Sequence, residues 1–259
     1  MLEYLSTPVV VYLCIVIGLL GLVMGSALNC LALRLAKGEK WSGKARSACP
    51  ACGHTLSATE LIPLVSWLIQ GGKCRHCKAP ISKRYPITEA ILAALYVCLL
   101  LKFGLSLELV SALVFASCLF CLSLVDLDTQ IIPDRFILIP IVVRAAELLM
   151  KGGLLSGVIP GFVVAGAVLV LSLIMDKVLK KDTMGGGDIK LLFVIGLFLT
   201  LPECMLMLML ACVIGIVMAA LMMKVSPDTP FPFGPALSIA AVVTMLAGGP
   251  IVNWYLSLF

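Results

Sequence analysis

Charge is scarce in this chain: Asp, Glu, Lys and Arg make up 13% of its 259 residues, against 61% hydrophobic residues and a mean hydropathy of +1.14. That scarcity excludes a soluble domain, which at this length has too little interior to hide so much apolar surface. Also missing are a basic stretch ahead of the first apolar run and a small-residue cleavage pattern behind it. The run is therefore expected to be a retained helix and not a removed signal peptide. No succession of strand, glycine-rich turn and helix marks a soluble nucleotide fold, because the triple glycine Gly185 to Gly187 leads straight into an aspartate.

What is present is a series of long apolar segments. Cut at charges, Gly and Pro, they give about eight expected transmembrane helices, at roughly 8–33, 87–102, 107–125, 136–150, 157–176, 189–201, 203–223 and 235–257. The expected fold is an all-α polytopic membrane protein embedded in a lipid bilayer. Ten of the 19 Lys and Arg lie from Arg34 to Arg84, and Lys177, Lys180, Lys181 and Lys224 follow in later connections. The positive-inside rule makes those segments cytoplasmic, and the net charge of +5 then needs no nucleic-acid partner. The expected division is a first transmembrane helix (1–36), a cytoplasmic cysteine-bearing segment (37–86) and a transmembrane catalytic region (87–259).

The polar segment holds Cys49-Pro50-Ala51-Cys52 and Cys74-Arg75-His76-Cys77, two C-x-x-C knuckles with 21 residues between them. Each knuckle converges two thiolates on one ion, and Cys49, Cys52, Cys74 and Cys77 together make the closed tetrahedral shell that structural zinc prefers. A disulfide is disfavoured in a reducing cytoplasm. Such a site is architectural: a loop of this size has a thin core and takes much of its folding energy from metal. His54 and His76 are read as bystanders beside a full cysteine set. Leu61 to Ile69, interrupted by Pro63, is either an interfacial segment anchored by Trp67 or the core of the cysteine module. Cys118 and Cys121 form a third C-x-x-C, but inside an apolar run they are expected to be packing.

Two aspartates, Asp126 and Asp188, stand at the ends of apolar segments. An ionisable group there is a functional hypothesis by default. Topology brings both to the cytoplasmic face, where a carboxyl pair polarises water and protonates a leaving amine, the chemistry of aspartic proteolysis. The alternatives are structural: Asp188 as an N-cap after a glycine turn, Asp128 and Asp134 as solvated turn residues. Asp126 resists that reading, because a helix C-terminus disfavours a carboxylate. This asymmetry suggests that Asp126 holds the shared proton and Asp188 is the ionised partner. Arg144 and Glu147, three apart, are expected to pair with each other. Glu89 is read as a partner for Arg84 or for a substrate lysine.

These residues resemble the bacterial type IV prepilin peptidases, membrane aspartic proteases of the G-x-G-D kind. The resemblance is carried by Gly25-Ser26-Ala27-Leu28-Asn29 with Arg34, by the cysteine segment with Pro63, Ser66-Trp67, Gly72-Lys73, Ile81-Ser82-Lys83-Arg84-Tyr85-Pro86 and Glu89, by Asp126 with Ile132-Pro133-Asp134, by Gly185-x-Gly187-Asp188 with Lys190, and by Pro232-Phe233-Gly234-Pro235. It implies that Asp126 and Asp188 are catalytic. It also implies removal, on the cytoplasmic side of the bacterial inner membrane, of the short basic leader of prepilins or pseudopilins after a glycine. Many members also N-methylate the exposed residue using S-adenosylmethionine, a step tied to the cysteine region; the sequence assigns no residue to that cofactor. Glu60-Leu61 departs from the Asn that members commonly carry before the Ile-Pro step. Two other readings compete: a peptidase without methyl transfer, and a proton- or cation-coupled transporter with a regulatory zinc loop. A third is a non-catalytic zinc-bearing assembly factor.

Overall fold

The computed structural model describes residues 6–39, 47–181, 184–225 and 231–258; Lys40, Lys44 and Arg46 of the charge argument, and the side chain of Lys224, lie outside the described side chains. Helix packing divides the chain into two compact units, Met1–Leu105 and Ser106–Phe259.

The first unit pairs helix α1 (Thr7–Ala36) with α3 (Arg84–Phe103), the cysteine module lying between them in sequence with a short helix α2 (Val65–Ile69). The pairing is decided by Gly21 and Gly25, four apart on one face of α1. A Cβ on Gly21 would lie 2.6 Å from the Cα of Ala93, and one on Gly25 would lie 2.9 Å from the Cα of Glu89. Helices in a bilayer gain little from hydrophobic exclusion, so this backbone contact is what holds them together. Asn29, fully buried, extends the clasp by accepting a hydrogen bond from Arg84 Nε at 3.1 Å. The boundary of the packing falls after Leu105 because α3 packs with α1.

The second unit comprises α4 (Leu107–Thr129), α5 (Asp134–Lys151), α6 (Leu154–Leu179), α7 (Gly186–Phe198), α8 (Leu201–Val225) and α9 (Gly234–Leu256). Its centre is α4: the apolar stretch of that helix is 67% buried, against 22% for α6 and for α8. Phe115 and Leu122 of α4, Leu191, Leu192 and Ile195 of α7 and Leu237 of α9 are all without solvent exposure to speak of, and Phe115 stacks on Phe198 of α7 at 4.0 Å. Helix α7 can approach α6 closely because a Cβ on Gly196 would lie 2.5 Å from the Cα of Gly161.

All eight expected spans are helices, and six of them are long and apolar enough to cross a membrane. The two exceptions are informative. Helix α5 carries Arg144, Glu147 and Lys151 within its 18 residues. Helix α7 has only 13, about 20 Å of rise against a hydrocarbon core of about 30 Å. A helix that stops short leaves carbonyls without partners, and these are costly away from water. Arg144 meets that need: its Nε donates to Leu197 O at 2.9 Å while its Nη1 donates to Glu147 at 2.8 Å. The expected pair is therefore present, joined by Lys151 at 2.9 Å and by the hydroxyl of Ser111. The chain then restarts as α8 behind Thr200, whose N–H and hydroxyl both donate to Glu203, at 2.8 and 2.7 Å.

Candidate active site and metal centre

The two aspartates come from opposite ends of their helices. Helix α4 runs three residues past Asp126 and stops at Gln130, whose left-handed backbone (φ 57°) lets its N–H return to Asp126 O. Asp126 therefore lies inside the last turn of the helix and is 4% exposed. Asp188 is not the N-cap of α7. Gly185 is, and Asp188 sits in the first turn, half-buried, its N–H donating to Gly185 O at 3.0 Å.

A third element completes the site. Gly234 opens α9, and its backbone N–H donates to Asp126 Oδ2 at 3.1 Å. A Cβ there would lie 2.5 Å from that oxygen. The residue is 108 positions from Asp126 in sequence, and nothing in the apolar pattern announces the contact. It also cancels the asymmetry expected from helix ends. Asp188 lies at the N-terminus of α7, and Asp126 faces the N-terminus of α9, so both carboxylates are supplied with positive helix ends.

The remaining motif residues brace this pair. Asp134 is solvated as expected but is the first residue of α5 and not part of the turn, and the exposed Lys190 Nζ donates to its Oδ1 at 2.7 Å. Gly187 rests on Ile132, with space for a Cβ only 3.0 Å from the Ile132 Cβ. The two acidic motifs are thus held to each other at two points. Gly186, by contrast, has nothing within 4 Å of where a Cβ would stand. Asp128 is exposed in the last turn of α4.

In the first unit the cysteine knuckles fold alike. Cys49 N donates to His54 O and Gly53 N to Cys49 O; Cys74 N donates to Ala79 O and Lys78 N to Cys74 O. In each, the residue after the second cysteine (Gly53, Lys78) has positive φ. The four sulfurs lie within 4.8 Å of one another, and Cys49 and Cys77 are 3.8 Å apart. Zn–S bonds of about 2.3 Å set tetrahedral sulfurs about 3.8 Å apart, so the cage has the right size. Backbone N–H groups of Cys52 and Ala51 bring the Cys49 thiol down to about 6, while burial and the neighbouring Cys49 and Cys77 push the Cys52 thiol up to about 11. His54 and His76 stand outside the cage, their rings stacked 3.9 Å apart. Cys118 and Cys121 are buried packing residues of α4.

Trp67 answers the question of Leu61 to Ile69 in two halves. Its indole donates to Ile81 O at 3.3 Å and lies over Gly72, so the ring is core. Leu68 and Ile69 on the same helix are 60% and 74% exposed, an apolar face turned outward. Glu89, 5% exposed, accepts the N–H of Leu64 at 2.7 Å, and Arg84 Nε donates to Asn29. Beside the cysteines the first unit encloses a cavity of about 670 Å³ whose lining includes Glu60, Glu89, Trp67, Tyr85, Arg34 and Ser66.

Residues 19–103 match the bacterial peptidase A24 N-terminal domain, and residues 113–220 match the type IV leader peptidase family. A relative from Pseudomonas aeruginosa is 33% identical over 99% of this chain and 97% of its own length. The chain belongs to the type IV leader peptidase family. Relatives from Aeromonas hydrophila (36% identity, 83% of this chain, 76% of the relative) and Bacillus subtilis (33%, 82% and 86%) cover most of it as well. All three are named prepilin leader peptidase/N-methyltransferase. No solved structure matches the chain. The family boundary falls between α3 and α4, as the helix packing does.

Proposed function

We propose that the chain is an aspartic endopeptidase of the bacterial inner membrane that removes the leader of type IV prepilins or pseudopilins. Asp126 and Asp188 are its catalytic pair. The observation that supports this reading is the backbone N–H of Gly234 on the buried carboxylate of Asp126, together with the bracing of the two acidic motifs through Gly187 on Ile132 and Lys190 on Asp134 and the open space over Gly186. One carboxylate takes a proton from water as the water oxygen attacks the scissile carbonyl; the other gives its proton to the departing amine nitrogen. The bare backbone at Gly186 lets an extended substrate lie close to the acids. The one-sided Lys and Arg distribution supports a cytoplasmic site.

Cys49, Cys52, Cys74 and Cys77 hold a structural zinc, on the strength of the size of their cage and its thiolate chemistry. The relatives' names support a second activity, N-methylation of the residue exposed by cleavage, with S-adenosylmethionine supplying the methyl group on a cationic sulfur. We assign the peptidase chemistry to the second unit and the cofactor to the first. A transporter is not favoured, because the acids sit at helix ends and the relatives are named as peptidases.

The test is co-expression with a prepilin and mass spectrometry of its new N-terminus. The expected product lacks the leader and carries one methyl group. Asn in place of either aspartate leaves the leader attached; a processed product from either variant sinks the pair.

A further inference from the structure

The lining of the cavity in the first unit includes a carboxylate with one unpartnered, buried oxygen. Glu60 has a side chain 5% exposed, and its Oε2 accepts the N–H and the hydroxyl of Ser57 at 2.9 and 2.8 Å. Its other oxygen, Oε1, is buried and has no hydrogen-bond partner. The two Ser57 donors, with the His54 ring nitrogen 3.6 Å from the same oxygen, hold this carboxyl below the usual carboxylate range. A buried carboxylate oxygen without a partner costs free energy unless a ligand supplies a donor or a positive charge. Glu89, likewise buried, lines the same space and uses one oxygen to hold Leu64 N–H. That amide belongs to a residue kept at φ 61°, ψ −51°, a conformation a leucine avoids. The strained turn therefore holds α2, and with it Trp67, against the cavity.

The lining thus divides by chemistry: two carboxylates, two aromatic rings (Trp67 and Tyr85) and the guanidinium of Arg34. A volume of about 670 Å³ is of the size that encloses a small organic cofactor, for which pockets run from about 300 to 1,000 Å³. Among the described residues no sheet with a nucleotide-binding turn competes for that role.

We propose that this cavity is where the methyl donor binds, its sulfonium and ammonium charges set against Glu60 and Glu89 and its base against Trp67 and Tyr85. The inference rests on the methyl-transfer reading above. It places the donor beside the cysteine cage, which gives the zinc a purpose: the metal fixes Cys49 and Cys74, both of which line the cavity. The cationic amine of a processed substrate shares the sulfonium's chemistry, and the experiment separates the two.

The full chain in nanodiscs is photolabelled with methyl-tritiated S-adenosylmethionine, and the labelled peptide is mapped. Affinity is then measured calorimetrically for S-adenosylmethionine and for S-adenosylhomocysteine, whose sulfur is uncharged. Label is expected between Ser47 and Glu89. Glu60→Gln should weaken S-adenosylmethionine at least tenfold and the uncharged analogue less than threefold. Ser66→Phe, which fills the space, should weaken both. Label mapping outside residues 26–89, or donor affinity unchanged in both variants, overturns the site while leaving methyl transfer standing. Donor affinity intact in Glu60→Gln with a raised KM for the prepilin amine overturns the donor assignment in favour of the amine. If the unaltered chain binds no donor at all, the methyl-transfer reading falls with it.

Discussion

Asp126 and Gly234 share a contact that leaves no room for another atom. A Cβ at position 234 displaces the end of a side chain and not a backbone, so the fold can absorb it while the carboxylate moves. Gly234→Ala should therefore lower leader cleavage by about 100-fold with a thermal midpoint close to that of the parent, since small misplacements of a reacting group are expensive. Cleavage kinetics and a melt on the same preparation check it. Gly186 gives the complementary case. An alanine there meets nothing in the chain, so a loss of cleavage with unchanged stability would report contact with the substrate. The two acids should titrate as one coupled pair. Cleavage requires one proton shared between them, so activity falls at low pH when both are protonated and at high pH when both are ionised. A rate profile with a single limb would count against the pair.

Helices α5 and α7 owe their positions to each other. Arg144 donates at once to the end of α7 and to Glu147, which a planar guanidinium can do and a point charge cannot. Arg144→Lys should cost roughly 2 kcal/mol, about one charge-assisted hydrogen bond, and Arg144→Met somewhat more. Unfolding in denaturing detergent measures both, and equal stability of the three proteins would dismiss the role given to Arg144. The pairing of Arg144 with Glu147 was legible from their spacing of three. The contact with Leu197 O was not, because a backbone carbonyl freed by a helix end leaves no mark in a residue pattern. The same holds for the ends of α4 and α7. The apolar run closes at Val125, yet the helix continues to Thr129, since hydrogen bonding and not hydropathy decides where a helix stops.

At the scale of the whole chain, the proposed function gives each of the two units its own chemistry. Metal removal should separate them. A strong chelator, or Cys49→Ser with Cys74→Ser, should bring zinc from one per chain to none and loosen residues 47–82. Helices α4 to α9 should keep their protection from hydrogen exchange, because their core contains no cysteine of the cage. Metal analysis paired with exchange mass spectrometry reads both. Loss of protection across the second unit would contradict the division. The cysteine array was legible because the C-x-x-C turn is a local geometry. The cavity beside it was not, since α1, α2 and α3 contribute to it from residues as far apart as Arg34 and Glu89.

Hydropathy and spacing by themselves determined the helical membrane fold, the cysteine cage and the two acids, because each is written in neighbouring residues or in a period of a few. Only the tertiary structure decided what each acid faces. Gly234 reaches Asp126 across 108 positions, Glu89 accepts the N–H of Leu64, and Glu60 keeps one buried oxygen unpartnered. Those choices depend on how helices cross, and crossing is settled by the shapes of packed surfaces, which carry no periodic signature along the chain.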